Sequence, residues 1–142
     1  MNKQIIYVDL IHSKIAYILA LLASYSSLDL SKRINDINDD IDKIKKSFLE
    51  EKNYVDVRDV IKLRNNLKEL KSRLSDDIIV SLKGHKIACL LFEVYSLIKL
   101  FVCEYPDINE DIKEYLLLAS EYLYTSGRIV NNETLCFEIK FN

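Results

Sequence analysis

Residues 30–48 read LSKRINDINDDIDKIKKSF. Leu30, Ile34, Ile37, Ile41, Ile44 and Phe48 recur at alternating steps of four and three, and nearly everything between them is polar or charged. That spacing puts all six on one edge of an α-helix, because residues three and four apart share a face. A strand would instead alternate in steps of two. The stripe is narrow, so such a helix buries one edge only. Asp29 and Ser31 are its N-cap candidates, next to a serine-rich turn at residues 24–27. After a break at Asn53 and Tyr54 the pattern resumes from Asp56, with Val60, Leu63, Leu67, Leu70 and Leu74 at steps of three and four. Two seamed helices on a short polar link read most simply as an antiparallel, coiled-coil-like hairpin within residues 30–74.

Upstream, residues 3–25 read as a helix whose second half is apolar nearly all round; residues 5–8 alone would also suit a short strand. Downstream, Ser75, Asp76 and Asp77 resemble a helix start, and Gly84 marks a kink or loop. Residues 86–105 are apolar on every face, the mark of a central hydrophobic helix enclosed by others, and Pro106 ends it. Asp107 and Glu110 have capping-box spacing for a last helix over residues 107–126, with Gly127 as a left-handed stop. Leu135, Phe137, Ile139 and Phe141 then alternate with Cys136, Glu138 and Lys140, and Asn131-Asn132 is a turn signal. Residues 128–141 therefore read as a candidate short β-hairpin that must pack on the bundle.

The expected architecture is all-α: one domain over residues 1–142, a bundle of about five helices. Two glycines and one proline in 142 residues argue against turn-rich β folds and against any glycine-rich phosphate loop. With 49% hydrophobic residues and a net charge of -2, the composition is that of a folded chain. Cys89, Cys103 and Cys136 form an odd set without a CxxC pair, which points to reduced, buried thiols in a cytoplasmic protein. Asp9, His12 and Lys14 interrupt the early apolar residues, against a signal peptide. The apolar run at residues 15–23 is short, and residues 87–103 contain Glu93 and Lys99, so no membrane insertion is expected.

Chemical candidates are few. His85, Cys89 and Glu93, at i, i+4 and i+8, carry zinc-ligand side chains on one helix face. A metal would need a further ligand such as His12, and the trio reads more simply as a buried thiol beside a solvent-edge or ion-paired carboxylate. Arg64, Lys68 and Lys71 form a basic stripe at i, i+4 and i+7, joined by Arg73. Residues 31–74 carry 12 basic against 9 acidic residues, while residues 104–142 carry 3 against 8. Such a stripe can contact phosphates, though a solvated helix face has the same pattern and the chain's pI is near 5.7. Tyr95, Tyr105, Tyr115, Tyr122 and Tyr124 gather in the last third, weak support for a binding surface. No catalytic or cofactor-binding residue and no cofactor is expected from these motifs. The sequence-level expectation is a non-enzymatic interaction module: an adaptor, inhibitor or small subunit with a protein partner or with further copies of itself. The alternative is a small nucleic-acid-binding subunit acting through Arg64, Lys68, Lys71 and Arg73.

Overall fold

A computed structural model describes residues 2–25 and 28–141. The fold is all-α: α1 (Lys3–Leu22), α2 (Leu28–Glu50), α3 (Val57–Lys71), α4 (Lys86–Glu104) and α5 (Glu110–Glu133) form one bundle. Ile5 and Val8 are buried within α1, so residues 5–8 are helical. The serine turn at residues 24–27 extends into residues 26 and 27, outside the described ones.

Side-chain caps set the helix starts by satisfying free first-turn N–H groups. The Asn2 amide oxygen accepts from the Gln4 N–H at 2.8 Å. At α3, Asp56 accepts from Arg58 and Asp59 while Asp59 answers to the Asp56 N–H, a reciprocal capping box. The α5 cap is Asn109, which accepts from Asp111 and Ile112, rather than Asp107. Residues 75–77 begin no helix: residues 72–85 are irregular, and the Asp76 carboxylate is drawn to Arg128 and Lys140.

Leu30, Ile34, Ile37, Ile41 and Ile44 are all buried. The α2–α3 pair runs antiparallel, with Lys43 paired to Asp59 and Arg73 to Asp29 along its edge, but the two helices scarcely pack on each other, so the expected coiled-coil-like hairpin is not a packed unit. The seams are filled from elsewhere in the chain. α2 packs chiefly on α1, and α3 lays Val60, Leu63, Leu67 and Leu70 on α5.

The most enclosed helix is α5, which touches α2, α3 and α4. This corrects the expectation that residues 86–105 sit at the centre. α4 packs on α1 and α5 and leaves an open strip with Cys89, Glu93, Leu100 and Cys103 exposed. The thiols are free, but Cys89 and Cys103 are exposed and Cys136 is partly covered, contrary to the expected burial. α1 is long and apolar enough by composition to cross a membrane, and here its row Ile5, Val8, Ile11, Ile15, Ile18 and Leu22 is buried in the core.

α5 does not stop at residue 126. Gly127 lies inside it, and the Phe92 ring occupies the space of a Cβ, which would stand 2.5 Å from Phe92 Cε1. The glycine is there for close helix packing, so residues 128–133 stay helical and the β-hairpin over residues 128–141 does not form. The period-two signal is satisfied another way. Leu135, at φ +59°, turns the chain off α5, and residues 135–141 run back to meet Val80. Val80 and Lys140 form an antiparallel bridge, Ser81 N–H donates to Ile139 C=O at 2.7 Å, and Phe141 N–H donates to Ile79 C=O at 2.9 Å.

Candidate functional site

Tyr95 of α4 and Tyr124 of α5 face each other with ring centroids 5.0 Å apart, and Phe92 lies 5.7 Å from Tyr124 on the inner side. The planes are tilted by 44° and 46°, and aromatic pairs at such separations attract beyond their area burial. The Tyr124 hydroxyl accepts from the Val80 N–H at 3.0 Å, which fixes the irregular 77–82 segment beside the two helices. Between them opens a cleft of about 500 Å³, with Ile78, Ile79, Val80 and Leu82 on one side and Tyr95, Lys99, Tyr124 and Thr125 on the other. Lys71, Glu121, Asp77 and Phe141 close its rim. The size and the mixture of aromatic walls with a few polar groups are those of a small-molecule site.

Two ammonium groups face this cleft. Lys71 Nζ lies 3.0 Å from Glu121, and that hydrogen bond raises its pKa. Lys99 Nζ reaches the Tyr95 hydroxyl at 3.4 Å, lies 5.2 Å from that ring's centroid, and pairs with no carboxylate among the described residues. Lys99 is therefore the cation available to an anionic ligand.

The irregular 76–85 segment that flanks the cleft is anchored from α5. Asn131 donates to Lys83 C=O and accepts from His85 N–H, both at 2.8 Å. Its amide fills the space where a Cβ on Gly84 would stand, and Gly84 has φ +127°, so glycine alone fits there without strain. Next to it the Arg128 guanidinium makes a two-pronged contact with Glu138, at 2.7 Å and 3.0 Å, and reaches Asp76 at 2.9 Å. Lys140 closes on the other Asp76 oxygen at 2.7 Å. Lys140 and Arg128 hold the Asp76 carboxyl well below the usual carboxylate range, and Glu138 foremost raises the Arg128 pKa.

Of the residues singled out from sequence, Tyr95 and Tyr124 line this cleft, Lys71 lies on its rim, and the others are placed apart from it. His85 Nδ1 caps α4 by accepting from the Ile87 N–H, Cys89 Sγ lies near the Gly84 carbonyl, and Glu93 pairs with Lys14 at 2.8 Å. His12 pairs with Asp42. No three metal-ligating side chains converge among the described residues. Of the basic stripe, Arg64 pairs with Glu114, Lys71 with Glu121, and Arg73 with Asp29 and Glu69. Those pairs draw three of the four cations toward acids of α5, α2 and α3. Tyr115 and Tyr122 are core residues, whereas Tyr95 and Tyr124 belong to the cleft. Sequence reasoning passed over Lys99 as a site residue. The one local signal was a tyrosine four residues before a lysine on an apolar helix.

No family model and no curated protein matches the chain. Its fold is similar to solved structures of the PduO-type ATP:co(I)rrinoid adenosyltransferase of Lactobacillus reuteri. One is a variant complexed with ATP, at TM-score 0.84 and 13% identity, covering 98% of this chain and 85% of that one. Two further variants complexed with cobalamin and ATP match at TM-scores of 0.82 and 0.83 and 14% identity, over 98% of this chain. These proteins are enzymes. The expectation of a non-enzymatic adaptor, inhibitor or small subunit of an assembly gives way to this finding.

Proposed function

We propose that the chain is an enzyme of the adenosyl-transfer type that takes ATP in the cleft between α4, α5 and the 77–82 segment. The observation that carries this reading is the likeness of fold along 98% of the chain to adenosyltransferases solved with ATP. The cleft supports it chemically. About 500 Å³ suits a nucleotide, the Tyr95–Tyr124 pair offers aromatic faces to a base, and Lys99 offers an ammonium to phosphate oxygens. The acceptor named for those enzymes is a corrinoid, a broad flat macrocycle, and the exposed Ile79, Leu82 and Phe141 give the rim an apolar border for such a face.

Calorimetry with ATP, followed by an absorbance assay with ATP and reduced cobalamin, tests the reading. Saturable binding, weakened roughly tenfold or more by Lys99→Ala, and formation of adenosylated cobalamin are expected. Neither binding nor product at millimolar ATP sinks it.

We also infer that copies of the chain associate. Leu10 and Tyr17 of α1 are exposed beside Leu90 of α4 in a groove of about 330 Å³, crossed by the Lys14–Glu93 pair. Contiguous exposed apolar surface of this kind marks contact sites.

A further inference from the structure

Residues 135–141 belong to no helix, yet they are anchored by groups buried far more deeply than a surface tail requires. The Arg128 side chain is 3% exposed and that of Glu138 is 6%. The guanidinium holds Glu138 through Nε and Nη2 and, on the opposite side, holds Asp76 through its carboxylate and its backbone carbonyl. One arginine thus ties the extended C-terminal segment and the 76–82 segment to α5. A planar fork suits this double grip, which an ammonium point charge does not reproduce.

On the other edge of the C-terminal segment the side chains point outward. Phe137 is 94% exposed and Leu135 is 82% exposed, so apolar burial contributes little to keeping the segment down. The segment also leaves α5 through a non-glycine residue in left-handed conformation, Leu135 at φ +59°, a form that costs free energy and is retained only where its surroundings fix it. Polar contacts therefore decide whether the segment is docked: backbone hydrogen bonds and the Lys140–Asp76 pair at its surface, and the Arg128–Glu138 pair as its one buried charge contact. Its docking places Phe141 on the rim of the cleft and pairs it with the adjacent Ile79, which also lines the cleft.

We propose that residues 135–141 form a detachable strap that carries Phe141, its one cleft-lining residue, as a removable piece of the cleft rim, and that Arg128 is the positioning residue that latches it. With the latch made, Ile79 and Phe141 are joined and the rim is complete on that side. With the latch broken, the strap lifts about Leu135 and the rim opens. Arg128 touches no ligand in this scheme and acts through Glu138 and Asp76. The role of the strap at the rim rests on the reading of the cleft as a nucleotide site; the latch itself does not.

The experiment uses the full chain and three variants: Arg128→Gln, Glu138→Gln and Phe141→Ala. Amide exchange is followed at Ser81 and Phe141, whose N–H groups bond between the strap and the 76–82 segment, and ATP affinity is measured by calorimetry. In Arg128→Gln both amides are expected to exchange at least roughly tenfold faster while amides inside α4 and α5 keep their protection, because opening is local. ATP binding should weaken by a similar factor. Glu138→Gln, which keeps a hydrogen-bond acceptor, should move both readouts less, and it carries the test if Arg128→Gln does not fold. Phe141→Ala should weaken ATP binding with exchange at Ser81 unaltered, which separates the rim from the latch. Unchanged exchange in both latch variants overturns the latch. Unchanged ATP affinity in Phe141→Ala and Arg128→Gln, with the parent chain binding, overturns the role at the rim. A parent chain that binds no ATP overturns the nucleotide reading instead, and the exchange data then decide the latch alone.

Discussion

A single methyl group is enough to test the α4–α5 contact. Gly127→Ala would set a Cβ 2.5 Å from the Phe92 ring, and the ring has Tyr124 behind it at 5.7 Å between centroids. Overpacking of this kind costs about 1–3 kcal/mol, and a urea titration should show the midpoint fall by a corresponding amount with the slope unchanged. Ionisable residues make a second prediction. Asp76 is held low by Lys140 and Arg128, Asp29 by Arg73, and Asp56 chiefly by the backbone amides of Asp59 and Arg58. A carboxyl depressed in the folded state stabilises the fold above its unfolded value, about 3.9, and that contribution disappears as pH falls below it. The urea midpoint should therefore drop between about pH 5 and pH 2, and Asp76→Asn should flatten that drop. Tyr115 behaves in the opposite sense. Burial, followed by the charge of Asp40, pushes its hydroxyl up, and that hydroxyl donates to Asp40 at 2.6 Å. A group raised on folding loses its stabilising contribution as pH rises past its unfolded value, about 10. Tyr115→Phe should destabilise by roughly 1–2 kcal/mol at neutral pH and lessen the alkaline loss seen in far-ultraviolet circular dichroism.

At the level of elements, what could be read in advance was whatever is local. The seam of α2, the break at residues 53–54 and the Asp56 cap all lie within a few residues of what they determine, and the two helices with their reversal follow from them. The partners of the seams were not legible, because a stripe of Ile and Leu declares that it is buried and not what buries it. Gly127 shows the same limit. Helix stops and close helix contacts both call for glycine, and only the Phe92 ring across the interface distinguishes them. The alternation in residues 135–141 correctly marks an extended segment, but its partner Val80 lies sixty residues away with no local signature. Asn131 was likewise readable only as a turn residue, whereas it clamps Lys83 and His85. Asn131→Ala would leave the His85 N–H and Lys83 carbonyl without that partner, at a cost of about 1–3 kcal/mol. Exchange at the His85 amide should rise before that of the helix interiors.

For the whole molecule, the decisive surfaces are those the core does not consume. The buried residues of all five helices form one continuous cluster, so the bundle is complete within one chain. Exposed Ile6, Leu10 and Tyr17 on α1 and Leu100 on α4 are surplus to it. Sedimentation should show a species larger than 16.6 kDa, and Leu10→Glu with Tyr17→Glu should return it to a monomer; a monomeric parent chain at high concentration counts against association. The site itself was illegible for a related reason, since its lining comes from five separate stretches and Lys99 stands out only because it pairs with no carboxylate among the described residues. The Tyr95–Tyr124 pair, tilted at 44°, has one more consequence. The chain carries nine tyrosines and no tryptophan, so its near-ultraviolet optical activity comes chiefly from rings held in fixed asymmetric surroundings. The pair at the cleft is thus a built-in chromophore. Occupancy should be visible as a change of the tyrosine bands without any label, and Tyr95→Phe would show which part of the signal belongs to that ring.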